Sequence, residues 1–138
     1  MSKVAVVFWS ATGNTETMAN CIAEGANGTL VPLGEMTPAK LAEFDVVAFG
    51  CPAMGAEQLE EGEFEPMFAG LEGSLNGKKI ALFGSYGWGD GQWMRDWVER
   101  AQEDGAQVFG GEGLICNEAP DDDVQAACRK LGAELAAW

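Results

Sequence analysis

Val4-Ala5-Val6-Val7-Phe8-Trp9 runs directly into Ser10-Ala11-Thr12-Gly13-Asn14-Thr15-Glu16. The first six residues are apolar, with β-branched side chains at Val4, Val6 and Val7, the pattern of a strand buried on both faces of a parallel sheet. The next residues offer three hydroxyls, Ser10, Thr12 and Thr15, and one glycine, Gly13, just before a helical stripe through Met18, Ile22 and Gly25. A strand, a loop of small hydroxyl residues and a helix start in that order aim backbone N–H groups and the positive end of a helix dipole at one point. Such a point attracts an anion. Read more plainly, Ser10 and Thr12 would only cap the helix.

The kind of anion follows partly from what is missing. No Lys or Arg lies between Lys3 and Lys40, so the loop has no P-loop lysine, and Gly13 stands alone where a dinucleotide fingerprint needs three glycines. Hydroxyls and amides without a cation suit a phosphate monoester held by charge-assisted hydrogen bonds.

A chain of 138 residues with 47% hydrophobic residues is expected to form one domain, residues 1–138, with a substantial core. The run Met1-Ser2-Lys3 leads straight into the strand and no apolar run reaches membrane length, so a cytoplasmic protein without signal peptide or membrane contact is expected. A net charge of −14, from 22 acidic and 8 basic residues, argues against nucleic acid and anionic lipid and in favour of positively charged partners. The absence of His removes the usual general base, and Cys21, Cys51, Cys116 and Cys128 show no metal-binding spacing. Cys21 and Cys51 read as small buried hydrophobes. A redox group, if there is one, is not made of the protein's own side chains.

The rest of the chain alternates. A helix over 14–25 precedes a short strand over 29–33, Thr37-Pro38 opens a short helix, and 45–50 is a second buried strand. Phe64, Met67, Phe68 and Leu71 form a helical stripe, 79–84 a fourth strand, and Trp93, Met94, Trp97, Val98 and Ala101 another helix stopped by Gly105. Val108 and Phe109 with Leu114 and Ile115 make a fifth strand bent at Gly110-Gly111, and a last helix starts at Asp121-Asp122-Asp123 and carries its stripe to Trp138. Alternating buried strands and amphipathic helices predict an α/β fold with a parallel sheet covered on both faces.

Ligands in such sheets bind beyond the carboxyl ends of the strands. Three loops there are rich in glycine and hydroxyls: 10–15, 52–57 and 85–91. The second and third present Met54 and Trp88 among residues too small to bury them. A planar ring between Met54 and Trp88, with its phosphate in the first loop, describes flavin mononucleotide (FMN) or another flat phosphate ester.

Ser10-Ala11-Thr12-Gly13-Asn14-Thr15-Glu16, Cys51-Pro52-Ala53-Met54-Gly55 and Gly84-Ser85-Tyr86-Gly87-Trp88-Gly89-Asp90-Gly91 resemble, in that order, the three flavin-binding segments of the short-chain flavodoxins. The resemblance runs from Lys3 to the last helix. It implies a flavodoxin-like doubly wound three-layer sandwich, its five-stranded parallel sheet in the order 2-1-3-4-5, with FMN as cofactor. It puts Ser10, Thr12, Asn14 and Thr15 on the phosphate, with Ser85 assisting, and Met54 and Trp88 on the two faces of the isoalloxazine. The Gly55 carbonyl would turn to accept from N5, the Glu57 carboxylate would accept from N3, and the Gly87 and Trp88 amides would meet the pyrimidine edge. Ala11, Gly13, Ala53, Ala56, Tyr86, Gly89 and Asp90 complete the implied cofactor-binding set. Ala11 and Ala56 depart from the residues common in the family, and Ala56 removes a side chain that could brace its turn.

The implied function is that of a low-potential one-electron carrier cycling between semiquinone and hydroquinone, without catalytic or metal-binding residues. A carboxylate 10 Å from an anionic reduced flavin costs up to about 1.7 kcal/mol at an effective dielectric of 20, on the order of 70 mV. Several would drive the lower potential strongly negative. Glu57, Glu60, Glu61, Glu63 and Glu65 crowd the second loop and, beyond being a solvated face, would dock redox enzymes with basic surfaces, such as ferredoxin- or flavodoxin-type reductases and oxidoreductases. A monomer is expected. The alternatives are an FMN-dependent NAD(P)H oxidoreductase of the same fold, which needs room for a second substrate over the ring, and a receiver-like module, which needs an Asp where the first strand ends in Trp9-Ser10.

Overall fold

The computed structural model describes residues 1–138. Strands β1 (Val4–Phe8), β2 (Thr29–Leu30), β3 (Val46–Gly50), β4 (Lys79–Tyr86), β5 (Gln107–Val108) and β6 (Leu114–Asn117) alternate with helices α1 (Asn14–Ala26), α2 (Pro38–Leu41), α3 (Phe64–Leu71), α4 (Gln92–Glu103) and α5 (Asp122–Ala136). All pairings are parallel, and the sheet order is β2-β1-β3-β4-β5, with β6 also on β4. No helix is long and apolar enough to cross a membrane.

The strands sort their side chains with period two, as the pleat requires. Ala5, Val7, Val47, Phe49, Ile80 and Leu82 face a core shared with α2, α3 and α4, while Val4, Val6, Val46, Ala48, Ala81 and Phe83 face one shared with α1 and α5. That is why the sequence reads as unbroken apolar runs. The two helices of the second layer approach closely: a Cβ at Gly25 would run into the backbone of Arg129, and one at Gly132 into the carbonyl of Ile22.

Local chemistry sets the ends. Thr37 caps α2 by accepting from Lys40 N at 3.2 Å, with Pro38 at the first helical position, and Asp121 caps α5 by accepting from Val124 N at 2.9 Å.

Three expectations change. The second strand stops at Leu30, not Leu33; Val31 still donates to Val6, but Pro32 has no N–H and a 3-10 turn over Leu33–Glu35 follows. The fifth strand is two strands. Gly110 and Gly111, at φ 68° and 72°, turn the chain out of the sheet, so β5 pairs with the start of β4 and β6 with its end. The last helix ends at Ala136, and Trp138 packs edge-on against Phe109 at 5.2 Å.

Candidate functional site

The carboxyl ends of β1, β3, β4 and β6 lie along one edge, and hydrogen bonds carry the ladder beyond them. Trp9 donates to Gly50 (3.0 Å), Cys51 to Phe83 (3.1 Å), Ala53 to Ser85 (3.0 Å) and Glu118 to Tyr86 (2.7 Å). The loops therefore leave side by side around a cavity of about 150 Å³. It is lined by Ser10, Ala11, Thr12, Thr15, Pro52, Ala53, Met54, Ser85, Tyr86, Gly87 and Glu118.

Its first wall is built to donate. Ser10 Oγ accepts from Gly13 N (3.1 Å) and Glu16 N (3.3 Å), which fills its lone pairs and leaves its proton free. Thr15 and Ser85, 1% and 5% exposed, share one hydrogen bond at 3.1 Å, and Thr15 Oγ1 also accepts from Ser85 N at 3.3 Å. One of their two hydroxyl protons closes that contact and the other remains for an outside acceptor. The amides of Thr12, Asn14 and Thr15 have no acceptor within the protein. Gly13, at φ 94°, is the residue before α1, a conformation that a side chain would strain, so the helix end opens onto these donors. Donors without a lysine or arginine fit a phosphate monoester.

The second loop closes into a turn in which Met54 N donates to Gln58 O (2.8 Å) and Gln58 N to Met54 O (3.0 Å). Within it Gly55 sits at φ 48° and Glu57 at φ 55°, a left-handed backbone rare for a side chain like glutamate. Glu57 Oε1 is buried and has no partner, an acceptor in want of an N–H, which also fits the imide of a flavin. In the third loop Trp88 is 64% exposed and presents its ring to solvent. Behind the loops Trp93 Nε1 donates to the Cys51 carbonyl at 3.1 Å. Burial pushes the Cys51 thiol up to about 12, so it stays a neutral, packed side chain.

The expected residues divide accordingly. Ser10, Ala11, Thr12, Thr15, Ala53, Met54, Ser85, Tyr86 and Gly87 line one cavity. Gly13 and Asn14 shape the helix start, and Gly55, Ala56, Glu57, Trp88, Gly89 and Asp90 stand outside the cavity on the second and third loops. Thr15 and Ser85 meet each other as well as the cavity. Pro52 lies in the second of the expected loops, whereas Glu118 is new; at φ 60° it follows β6 and belongs to a fourth loop at the same edge. The strand-end rule would have found it, had the loop after the fifth strand been counted. Two larger hollows, about 260 and 460 Å³, flank 110–113; neither has a hydroxyl in its lining, and their cations, Lys130 and Arg95, lie among Glu99, Glu112 and Glu134.

The acidic loop differs from its sequence reading. Glu60 accepts from Gly62 N (2.7 Å), Glu63 N and Phe64 N (both 2.8 Å), organising the entry to α3. Burial nudges its pKa upward, but the bonds from Phe64, Glu63 and Gly62 outweigh that and hold it below 4.5. Glu65 and Glu72 grip the Arg100 guanidinium at 2.7 to 3.0 Å, tying α3 to α4. Of the five glutamates, Glu60 and Glu65 are thus committed to the fold.

Comparison with known proteins agrees with this geometry. Residues 6–131 match the family model described as Flavodoxin. A flavodoxin of Megasphaera elsdenii is 46% identical over 138 residues, covering 96% of this chain and 98% of that one. A flavodoxin of Clostridium beijerinckii is 41% identical over 136 residues, covering 95% and 97%. The solution structure of two-electron reduced Megasphaera elsdenii flavodoxin superimposes with a TM-score of 0.88 at 42% identity, covering 98% of this chain and 99% of that one.

Proposed function

This chain belongs to the flavodoxin family, and from that premise we propose how its residues hold FMN and meet a partner. The protein is an FMN-binding electron carrier and not an enzyme. Bound FMN supplies the redox chemistry, taking up and passing on electrons one at a time; the protein binds it, orients it and sets its potential. In our reading residues 1–138 act as one FMN-binding unit, a cytoplasmic monomer working at low potential.

The free protons of Ser10 and of the Thr15–Ser85 pair, with the amides of Thr12, Asn14 and Thr15, hold the phosphate. Because every donor is neutral, the site adds no positive charge to offset the carboxylates around it, and the net charge of −14 opposes further negative charge on the cofactor. That favours a low potential. Met54 and Trp88 would cover the two ring faces, the Gly87 and Trp88 amides would meet the pyrimidine edge, and Glu57 would accept from N3. Ala11, Gly13, Ala53, Ala56, Tyr86, Gly89 and Asp90 shape the loops around them. Gly55 would turn its carbonyl toward N5 of the bound ring, a movement that a Cβ would resist. The exposed Glu61 and Glu63 are the acidic contacts for redox enzymes with basic docking surfaces.

The observation that carries this reading is the Ser10 hydroxyl, with both lone pairs filled by backbone N–H groups and its proton free, beside the Thr15–Ser85 pair with one proton left to donate. It is tested by titrating the apoprotein with FMN and with riboflavin, which lacks the phosphate. FMN is expected to bind far more tightly; equal affinities would refute the phosphate assignment.

A further inference from the structure

The third loop leaves β4 at Tyr86 and enters α4 at Gln92. Three of the five residues between them are glycine, two of these left-handed, Gly89 at φ 86° and Gly91 at φ 90°. None of the amides from Gly87 to Gly91 donates within the protein, and Gly87, Trp88, Gly89 and Asp90 are exposed. Left to itself such a segment would sample many shapes, and ordering it around a ligand would cost binding energy. Two contacts hold it. From the second loop, the Glu57 carboxylate lies so close to Gly89 that a Cβ there would collide with it. From α4, Arg95 reaches back to the next residue: Nη1 donates to the Asp90 carbonyl at 3.1 Å and Nη2 to the Asp90 carboxylate at 3.0 Å. Nη2 also donates to Gln92 Oε1 at 2.9 Å, and Gln92 Nε2 to Asp96 at 2.8 Å, which keeps the guanidinium aligned along the helix. An exposed ion pair by itself contributes little. A planar fork on both the carbonyl and the carboxylate of one residue does more, since it fixes the backbone of the loop as well as a charge.

We propose that Arg95 is a positioning residue for the cofactor's ring: by gripping Asp90 at two atoms it holds the third loop in the shape that offers Trp88 and the amides beside it. It is the one lysine or arginine bonded to any of the three loops. Its charge is met by the Asp90 carboxylate, so what it gives the site is shape and not attraction for the phosphate. Glu57 and Arg95 act on neighbouring residues, Gly89 and Asp90, so the second loop and α4 together fix the third. This inference rests on the reading of Trp88 as a cover of the flavin ring.

The test begins without FMN. In ¹⁵N-labelled apoprotein, Arg95→Ala should lower the heteronuclear NOE of the Gly89 and Asp90 amides, the sign of a backbone set free on the fast timescale. Values equal to the parent's would overturn the brace. Titration then separates shape from charge. Arg95→Ala should weaken FMN and riboflavin alike, about fivefold, because the loop meets the ring that both contain. A loss confined to FMN would mean that Arg95 acts as a charge on the phosphate, and would overturn the positioning role. Arg95→Lys keeps the charge without the planar fork and should recover little of the loss; full recovery would overturn the role as well. Arg95→Ala combined with Trp88→Ala should lose less than the two single losses together, because one residue acts through the other's loop. Strictly additive losses would count against it. Unchanged FMN binding in Trp88→Ala alone would instead refute the reading of Trp88, which the apoprotein amides do not depend on.

Discussion

The first loop has no basic residue from Ser10 to Thr15 and is the anion site we propose, whereas the second, from Glu57 to Glu65, has five carboxylates and keeps only some of them free. In the first, the attraction for a dianion that we infer comes from the free protons of Ser10 and the Thr15–Ser85 pair and from amides at the start of α1. In the second, Glu60 is consumed by three backbone N–H groups and Glu65 by Arg100. Formal charge is thus a poor guide to the field that a loop presents. What counts is which donors and acceptors are left over once the fold has taken its share.

Thr15→Val removes a hydroxyl that both lines the cavity and accepts from Ser85 N, and should weaken FMN binding about a hundredfold, about 2.7 kcal/mol. Fluorescence titration should show no comparable loss with riboflavin; an equal loss would mean that the hydroxyl supports the fold and not the phosphate. Glu60→Gln should cost about 1–2 kcal/mol in urea unfolding, against less than about 0.5 for Glu61→Gln, since only Glu60 has three backbone bonds to lose. The pH dependence follows in sign. A carboxyl held below 4.5 in the folded state contributes stability that is full above 4.5 and lost as the pH falls through its folded value. Glu60→Gln should flatten that acid limb.

Gly55→Val places a β-branched residue at φ 48° beside the turning peptide and should shift the one-electron equilibrium by about 1 kcal/mol. Anaerobic stepwise reduction would then show less long-wavelength radical absorbance than the parent; equal absorbance defeats the carbonyl movement. The smallest effect concerns docking. Glu61→Gln with Glu63→Gln should slow reduction by a basic reductase a few-fold at low salt and leave the rate unchanged at high salt. A rate unmoved at low salt would remove these carboxylates from the interface.

Much of this is legible in the sequence because it is local. Four apolar residues before Phe8, hydroxyls and a glycine after it, and a helical stripe from Met18 are preferences of neighbouring residues, and they fix β1, the loop and α1 before any contact forms. The same holds for the caps at Thr37 and Asp121 and for the bend at Gly110-Gly111, although its consequence, two strands in place of one, depends on where β4 offers free partners. Glu118 went unread because Glu118-Ala119-Pro120 has none of the glycines and hydroxyls that mark the other three loops, although the strand-end rule reaches it.

Spacing and composition by themselves determined an alternating α/β chain, a hydroxyl-rich loop without a cation and two large side chains offered among glycines, for these follow from residues within a few positions of one another. Only the tertiary structure decided that Thr15 bonds Ser85, that Glu60 is spent on its own loop while Glu65 is neutralised by Arg100, and that Glu57 packs against Gly89. The reason is physical. A hydrogen bond or ion pair depends on distances of about 3 Å, and most of these partners lie tens of residues apart until the sheet assembles.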